Sequence, residues 1–121
     1  MDLYFECNSG ISGDMSVGAL LDLGADRELL DKALLSMKLD NEFKYNVTKQ
    51  MINAISATDF EVILPHHTHH HHKHRNLDDV YEIINKAEIT LNAKELAKKI
   101  FKIVAEAESK VHNKDISQIH F

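Results

Sequence analysis

An α+β fold is predicted for this chain of 121 residues, in the order β-α-α-β-β-α-α, with a small mixed sheet, a β-hairpin and packed helices. Three observations predict it. Stretches with apolar residues at helical spacing are set beside short segments that alternate every second residue. Two of the alternating segments are neighbours with only two residues between them, which makes a hairpin and places the helices apart from the strands. Finally, 44% of the residues are hydrophobic, enough for a globular core in a chain of this length.

Leu3-Tyr4-Phe5-Glu6-Cys7 is a short apolar run ending in turn residues and reads as a first strand. Asn8 to Gly13 is a loop. A helix is expected from about Asp14 to Leu23, with Met15, Ala19, Leu20 and Leu23 on its apolar face and Gly24 at its C-terminal stop. Asp26 suits the N-cap of a second helix, with Leu29, Leu30, Ala33, Leu34 and Met37 on one side. From Phe43 the period changes: Phe43, Tyr45 and Val47 alternate with polar residues, as in a half-buried strand. Ile55 to Leu64 is a second strand, rich in β-branched and aromatic residues and stopped by Pro65, and Asn53-Ala54 is the turn between the two. Asn76 can cap a helix whose first turn carries Asp78 and Asp79, charges that suit the positive end of a helix dipole. A longer helix is predicted from about Asn92 to Val111. Its apolar stripe is Leu96, Ile100, Phe101, Val104 and Val111, and its wet face pairs Glu95 with Lys99 and Glu106 with Lys110.

There are no internal repeats and no second-domain boundary, so a single domain 1–121 with a His-rich loop over 65–76 is expected. Asp115 to Phe121 reads as the approach to another strand and stops on apolar residues. The chain is therefore expected to be the N-terminal part of a longer protein.

The formal charge is −5 with histidine neutral, which argues against nucleic acid as a partner, because phosphate binding needs a basic surface. Cys7 is the one cysteine, so no internal disulfide can form, which fits a reducing cytosol. The opening MDLYFECNSG has neither a basic n-region nor a long apolar segment, and no stretch approaches the ~20 apolar residues of a membrane span. A cytoplasmic protein with no membrane partner is expected. A homo-oligomer is compatible with the sequence.

Seven histidines fall within nine positions: His66, His67, His69, His70, His71, His72 and His74, in the run PHHTHHHHKHR. Neutral imidazole is a common ligand for transition metals, and no ordinary fold requires such a density. The run lies mid-chain and is broken by Thr68, Lys73 and Arg75, unlike a terminal expression tag. In an extended backbone His67, His69 and His71 share one face, and His66, His70, His72 and His74 the other. In a helical turn His66 and His70, His67 and His71, and His70 and His74 stand at i,i+4. Either form offers two or three nitrogens to one metal, and nickel, zinc, copper and cobalt all accept them. The bland alternative is a polar loop with adventitious affinity. With no apolar residue to bury, the tract is expected to be disordered without metal. Crowded imidazoles disfavour one another's protonation, yet below pH about 6 the tract becomes a basic patch.

The second candidate is Ser9-Gly10-Ile11-Ser12-Gly13-Asp14-Met15, between the predicted strand and the helix start. Gly10 and Gly13 let backbone N–H groups approach an anion, and a helix N-terminus favours negative charge. Ser9 and Ser12 add hydroxyl donors, and Asp14 is a candidate catalytic residue that can hold a Mg²⁺ bridging to phosphate. The GxxxxGK[ST] spacing of a P-loop and its lysine are absent. The bland alternative is a tight turn with Ser12 capping the helix. Elsewhere, Cys7 reads as a small buried hydrophobe or a thiolate, and Glu6 as a strand-end charge. His112 and His120 read as packing or hydrogen-bonding residues that can join a metal site. Met15, Met37 and Met51 read as core filling.

The segment YFECNSGISGDMSVGALLDLG resembles the opening of the nickel-insertion proteins of the lactate-racemase cofactor pathway, the LarC family. The resemblance continues through INAISATDFEV, the His-rich run ending HRNL, IFKIVAEAESKVHN and the final IHF, and so covers nearly the whole chain. Glu6 stands where the family usually has Asp, and Asn8 where an aromatic is common. The resemblance implies a CTP-dependent nickel-inserting cyclometallase. Ni²⁺ would enter a small-molecule substrate, the pyridinium bisthiocarboxylate mononucleotide, to form the nickel-pincer nucleotide cofactor, with CTP and Mg²⁺ or Mn²⁺. It implies that His66 to His74 gather nickel and that CTP binds in the remaining C-terminal region of the parent protein, so this part alone is expected to be inactive. Two other readings stand beside it: a non-enzymatic nickel or zinc store or metallochaperone, and a structural module whose His loop is incidental.

Overall fold

The computed structural model describes residues 2–64 and 74–121. Chain packing divides the protein into two compact units, Met1–Glu28 with Asp40–His66, and Leu29–Leu39 with His67–Phe121. Among the described residues, four helices and one two-stranded sheet make the α+β fold that the periodicities predict, with the sheet antiparallel and not mixed.

In the first unit, helix α1 spans Gly13–Asp22. Ser12 begins it in an extended conformation, with its side chain accepting the Met15 N–H. Gly24, at φ +98°, ends it, and the Ala25 N–H reaches back 3.0 Å to the Leu20 carbonyl in the closing pattern that glycine makes cheap. Strands β1 (Lys44–Ile52) and β2 (Ile55–Ile63) pair in register from Lys44 with Ile63 to Ile52 with Ile55. Asn53 and Ala54 both take positive φ, 50° and 64°, the conformation that matches a two-residue hairpin to strand twist. Phe60 is buried on one sheet face and stacks on Tyr45 at 5.4 Å between ring centres.

α1 packs on β2, but not by the face the sequence suggests. Gly18 is its buried residue, and a Cβ there would lie 2.5 Å from the Thr58 carbonyl oxygen. Met15 and Leu23 are exposed, and so is Ala19. The helix is apolar on more than one side, so periodicity does not select the packed side. The absence of a side chain at Gly18 does, because only there can the helix backbone reach the strand.

The strand expected at residues 3–7 does not form: Leu3, Tyr4 and Phe5 are exposed, without a ladder partner among the described residues. A strand is stable only when its backbone groups pair with a neighbour. Cys7 accordingly lies exposed, not buried. Met51, expected as core, also lies exposed, and Met37 is half-buried.

Helix α2 (Arg27–Ser36), which belongs to the second unit from Leu29 onward, begins just after Asp26 and half-buries Leu30, Ala33 and Leu34, while Leu29 is exposed. The Ser36 hydroxyl accepts the Glu88 N–H at 2.8 Å, tying the end of α2 to a segment 52 residues further along the chain. Helix α3 (Leu77–Lys86) opens with a reciprocal cap: the Asn76 side chain accepts the Asp79 N–H and the Asp79 carboxylate accepts the Asn76 N–H, each at 2.9 Å. Helix α4 (Leu91–His112) packs on α3. The buried apolar residues of this unit are Val80 and Ile84 on α3, Ala87 just after it, Ala105 on α4 and Ile119 beyond it, with Ala105 fully covered.

The stripe predicted for α4 is largely turned outward. Leu96, Ile100, Val104 and Val111 are exposed, and only Phe101 is half-buried, where it meets Phe121 edge-on at 5.4 Å. The acids also choose other partners: Glu95 bonds Lys98 at 3.1 Å and Glu106 lies 3.8 Å from Lys102. Beyond α4, residues expected to approach a strand form one 3₁₀ turn, Ile116–Gln118, whose start Asp115 caps by accepting the Ser117 N–H. That carboxylate also takes the Ser117 hydroxyl at 2.6 Å, a local pairing that competes with extended backbone.

Candidate functional site

The loop before α1 turns at Asn8-Ser9, where the Gly10 N–H donates 3.0 Å to the Cys7 carbonyl. Gly10 has φ +84°, which favours glycine strongly. Ser9, Gly10, Ser12, Gly13 and Asp14 are all exposed, the first three on this loop and the last two in the first turn of α1. Ser12 and Asp14 are bonded to each other: the Ser12 hydroxyl donates to Asp14 Oδ1. The Met15 N–H is shared, 3.0 Å from Asp14 Oδ1 and 3.4 Å from Ser12 Oγ. The Ser12 hydroxyl, with the Met15 N–H, holds the Asp14 carboxyl below its ordinary value, so it is ionised at neutral pH. This is the arrangement of a capped helix start. It leaves an exposed carboxylate at the positive end of α1, with Gly13 beside it, where an added Cβ would meet nothing within 4 Å apart from its chain neighbours and its own helix backbone.

Of the predicted metal ligands, His66, His67, His69, His70, His71 and His72 lie outside the described residues, and with them the expected disorder of the tract. His74 is described, and its ring faces that of His120, 5.6 Å between centres and tilted 56°. The Phe121 N–H donates 2.8 Å to the Arg75 carbonyl, which fixes the residue after each histidine to the other segment. His112 instead sits 3.0 Å from Glu108 on its own helix. Among the described residues, no group of three or more His, Cys, Asp or Glu side chains stands close enough to hold a metal ion. Glu6 accepts a bond from Asn8 at 3.3 Å.

Sequence reasoning missed a polar cluster at the other end of α1. Asp22 Oδ1 accepts from Lys49 and, at 2.7 Å, from the Thr58 hydroxyl. Lys49 and Thr58 are direct partners across the hairpin, so their side chains share a face. The Lys49 bond, then the Thr58 bond, lowers the Asp22 carboxyl below its ordinary value. The one available signal was the pairing register, which puts a lysine and a threonine opposite each other on the face that α1 covers.

No described helix is long and apolar enough to cross a membrane. No solved structure matches the chain. A protein of Acetivibrio thermocellus named pyridinium-3,5-bisthiocarboxylic acid mononucleotide nickel insertion protein is 49% identical over 124 residues, covering 98% of this chain and 30% of that relative. Its namesake from Alkaliphilus metalliredigens is 46% identical over 133 residues, covering 98% and 31%. One from Staphylococcus saprophyticus is 39% identical, covering 98% and 29%. The chain thus spans about 30% of the length of the curated relatives it matches. The family described as Nickel insertion protein matches residues 3–121, a span that takes in the loop, the hairpin, the histidine tract and α4, and the chain belongs to that family.

Proposed function

We propose that this chain is the nickel-handling part of a protein that inserts nickel into the pyridinium bisthiocarboxylate mononucleotide, and that Ni²⁺ is its cargo. The observation that carries this reading is the tract of seven histidines inside the segment that matches the nickel insertion family. Imidazole nitrogens at that density suit a borderline metal, and several weak ligands exchange an ion more readily than a closed cage.

The loop from Ser9 to Asp14 is assigned to the phosphate of the mononucleotide or to a Mg²⁺ or Mn²⁺ ion upon it. Two features support this. Asp14 is an exposed, ionised carboxylate, and a hard cation held by one carboxylate takes its remaining oxygens from water and phosphate. Packing does not demand glycine at residue 13, whereas close approach of a ligand to the backbone would. CTP chemistry and the remaining C-terminal region belong to the parent protein in this reading.

Calorimetric titration of Ni²⁺, with Zn²⁺ competition, into this chain and into a variant with Gln at His66, His67, His69, His70, His71, His72 and His74 tests the metal assignment. Saturable nickel binding lost in the variant supports it, and equal binding by both proteins overturns it. In the full-length protein, Asp14→Ala is expected to abolish cofactor maturation. Full activity there removes the loop from the mechanism.

A further inference from the structure

We propose that His74 and His120 together form a two-imidazole site for Ni²⁺, a fold-anchored seat at the end of the tract. The proposal rests on the nickel-handling reading above and deepens it by adding a ligand, His120, from 46 residues further along the chain.

The geometry is specific. With metal–nitrogen bonds of about 2.0–2.1 Å, two imidazoles bound side by side to one ion have ring centres roughly 5 Å apart. His74 and His120 stand at 5.6 Å with their planes tilted by 56°, so small side-chain rotations bring a nitrogen of each onto a shared ion. Both side chains are exposed and open to an arriving ion.

The backbone beneath the pair is held from several directions. The Phe121 N–H bonds the Arg75 carbonyl at 2.8 Å, joining the two segments one residue beyond each histidine. Ile119, just before His120, is buried at 5% exposure, and Phe121, just after it, meets Phe101 edge-on. On the other side, Asn76 is locked in the reciprocal cap of α3 two residues after His74. Along an extended segment side chains alternate, so burying Ile119 turns His120 outward. The two rings are therefore brought together by contacts that do not involve the rings. Little ordering remains to be done when the ion arrives, which is the usual benefit of preorganisation.

Two nitrogens do not complete the coordination of nickel. The remaining positions fall to water or to passing ligands, which leaves the ion exchangeable, as cargo must be. His112, bonded to Glu108, is not part of the site.

The test is Ni²⁺ titration of the chain carrying Gln at His66, His67, His69, His70, His71 and His72, with His74 and His120 intact. It is expected to bind one Ni²⁺ per chain. In that background His120→Gln and, separately, His74→Gln are each expected to weaken binding by about tenfold or more, since loss of a mere outer-shell partner already costs about 10–100-fold. His112→Gln is expected to change nothing. Far-UV circular dichroism checks that each variant remains folded, which the exposure of both rings favours. Unchanged affinity after His120→Gln overturns the proposal. No saturable binding by the six-Gln chain, while the unaltered chain binds, also overturns it and leaves the tract reading standing. No binding by either chain brings both down.

Discussion

The two compact units close their cores by opposite means. In the first, helix and strand meet backbone to backbone at Gly18 and Thr58, and a polar cluster of Asp22, Lys49 and Thr58 finishes the contact. In the second, α3 and α4 meet through side chains, with Val80, Ile84 and Ala87 on one side and Ala105 on the other. The first unit is therefore sensitive to added volume, and the second to lost volume. A glycine contact contributes little apolar area of its own.

The largest expected effect tests the side-chain core. Ile84→Ala removes a side chain only 6% exposed and should destabilise the protein by about 3 kcal/mol in urea unfolding followed by circular dichroism. A loss below about 1 kcal/mol, the scale of an ordinary surface change, would mean that α3 and α4 are not closed by this residue.

Gly18→Ala comes next and has the sharper sign. On an exposed helix face that change gains about 1 kcal/mol from propensity. Here the new Cβ lands 2.5 Å from a backbone oxygen, and overpacking costs about 1–3 kcal/mol. A net loss of up to roughly 2 kcal/mol is expected. A stabilised variant would break the comparison, since it would show that the helix can withdraw from β2 freely.

The smallest effect concerns Asp22. Its carboxyl is lowered, first by the Lys49 bond, so the folded state favours the ionised form. That contribution is present above the ordinary carboxylate value of the unfolded chain and is lost as pH falls through the lower folded value. Asp22→Asn should therefore be slightly less stable than the parent at neutral pH, with the difference closing in acid. The groups are exposed, so the change is small, and a gap that persists undiminished at low pH would assign the contact to shape alone.

Much of the fold was legible because its signals are local. The Asn53-Ala54 turn, the Asn76 cap with Asp79 and the Gly24 stop each satisfy backbone groups within a few residues, so residue type and spacing are enough to find them. The misread elements share one cause. α1 and α4 carry apolar residues on more than one side, and periodicity counts those residues without saying which side meets a partner. Hence Met15 and Leu23, and Leu96 and Ile100, lie exposed where a core was expected. The strand at 3–7 failed for a related reason, since apolar alternation signals a strand but only a neighbour completes one. At the candidate site, the loop residues and the histidine tract were found as chemical types, whereas the pairing of His120 with His74 was not.

By itself, then, the sequence determined the α+β class, the hairpin and its turn, the Asn76 cap, the family and the concentration of imidazole, since each follows from neighbours along the chain. Tertiary structure alone decided that α1 packs by Gly18, that Asp22 meets a cross-strand lysine and threonine, and that the last histidine of the tract faces His120. These are meetings between residues 27 to 46 positions apart. They depend on how packed elements bring distant backbone together, which no local pattern of residue types encodes.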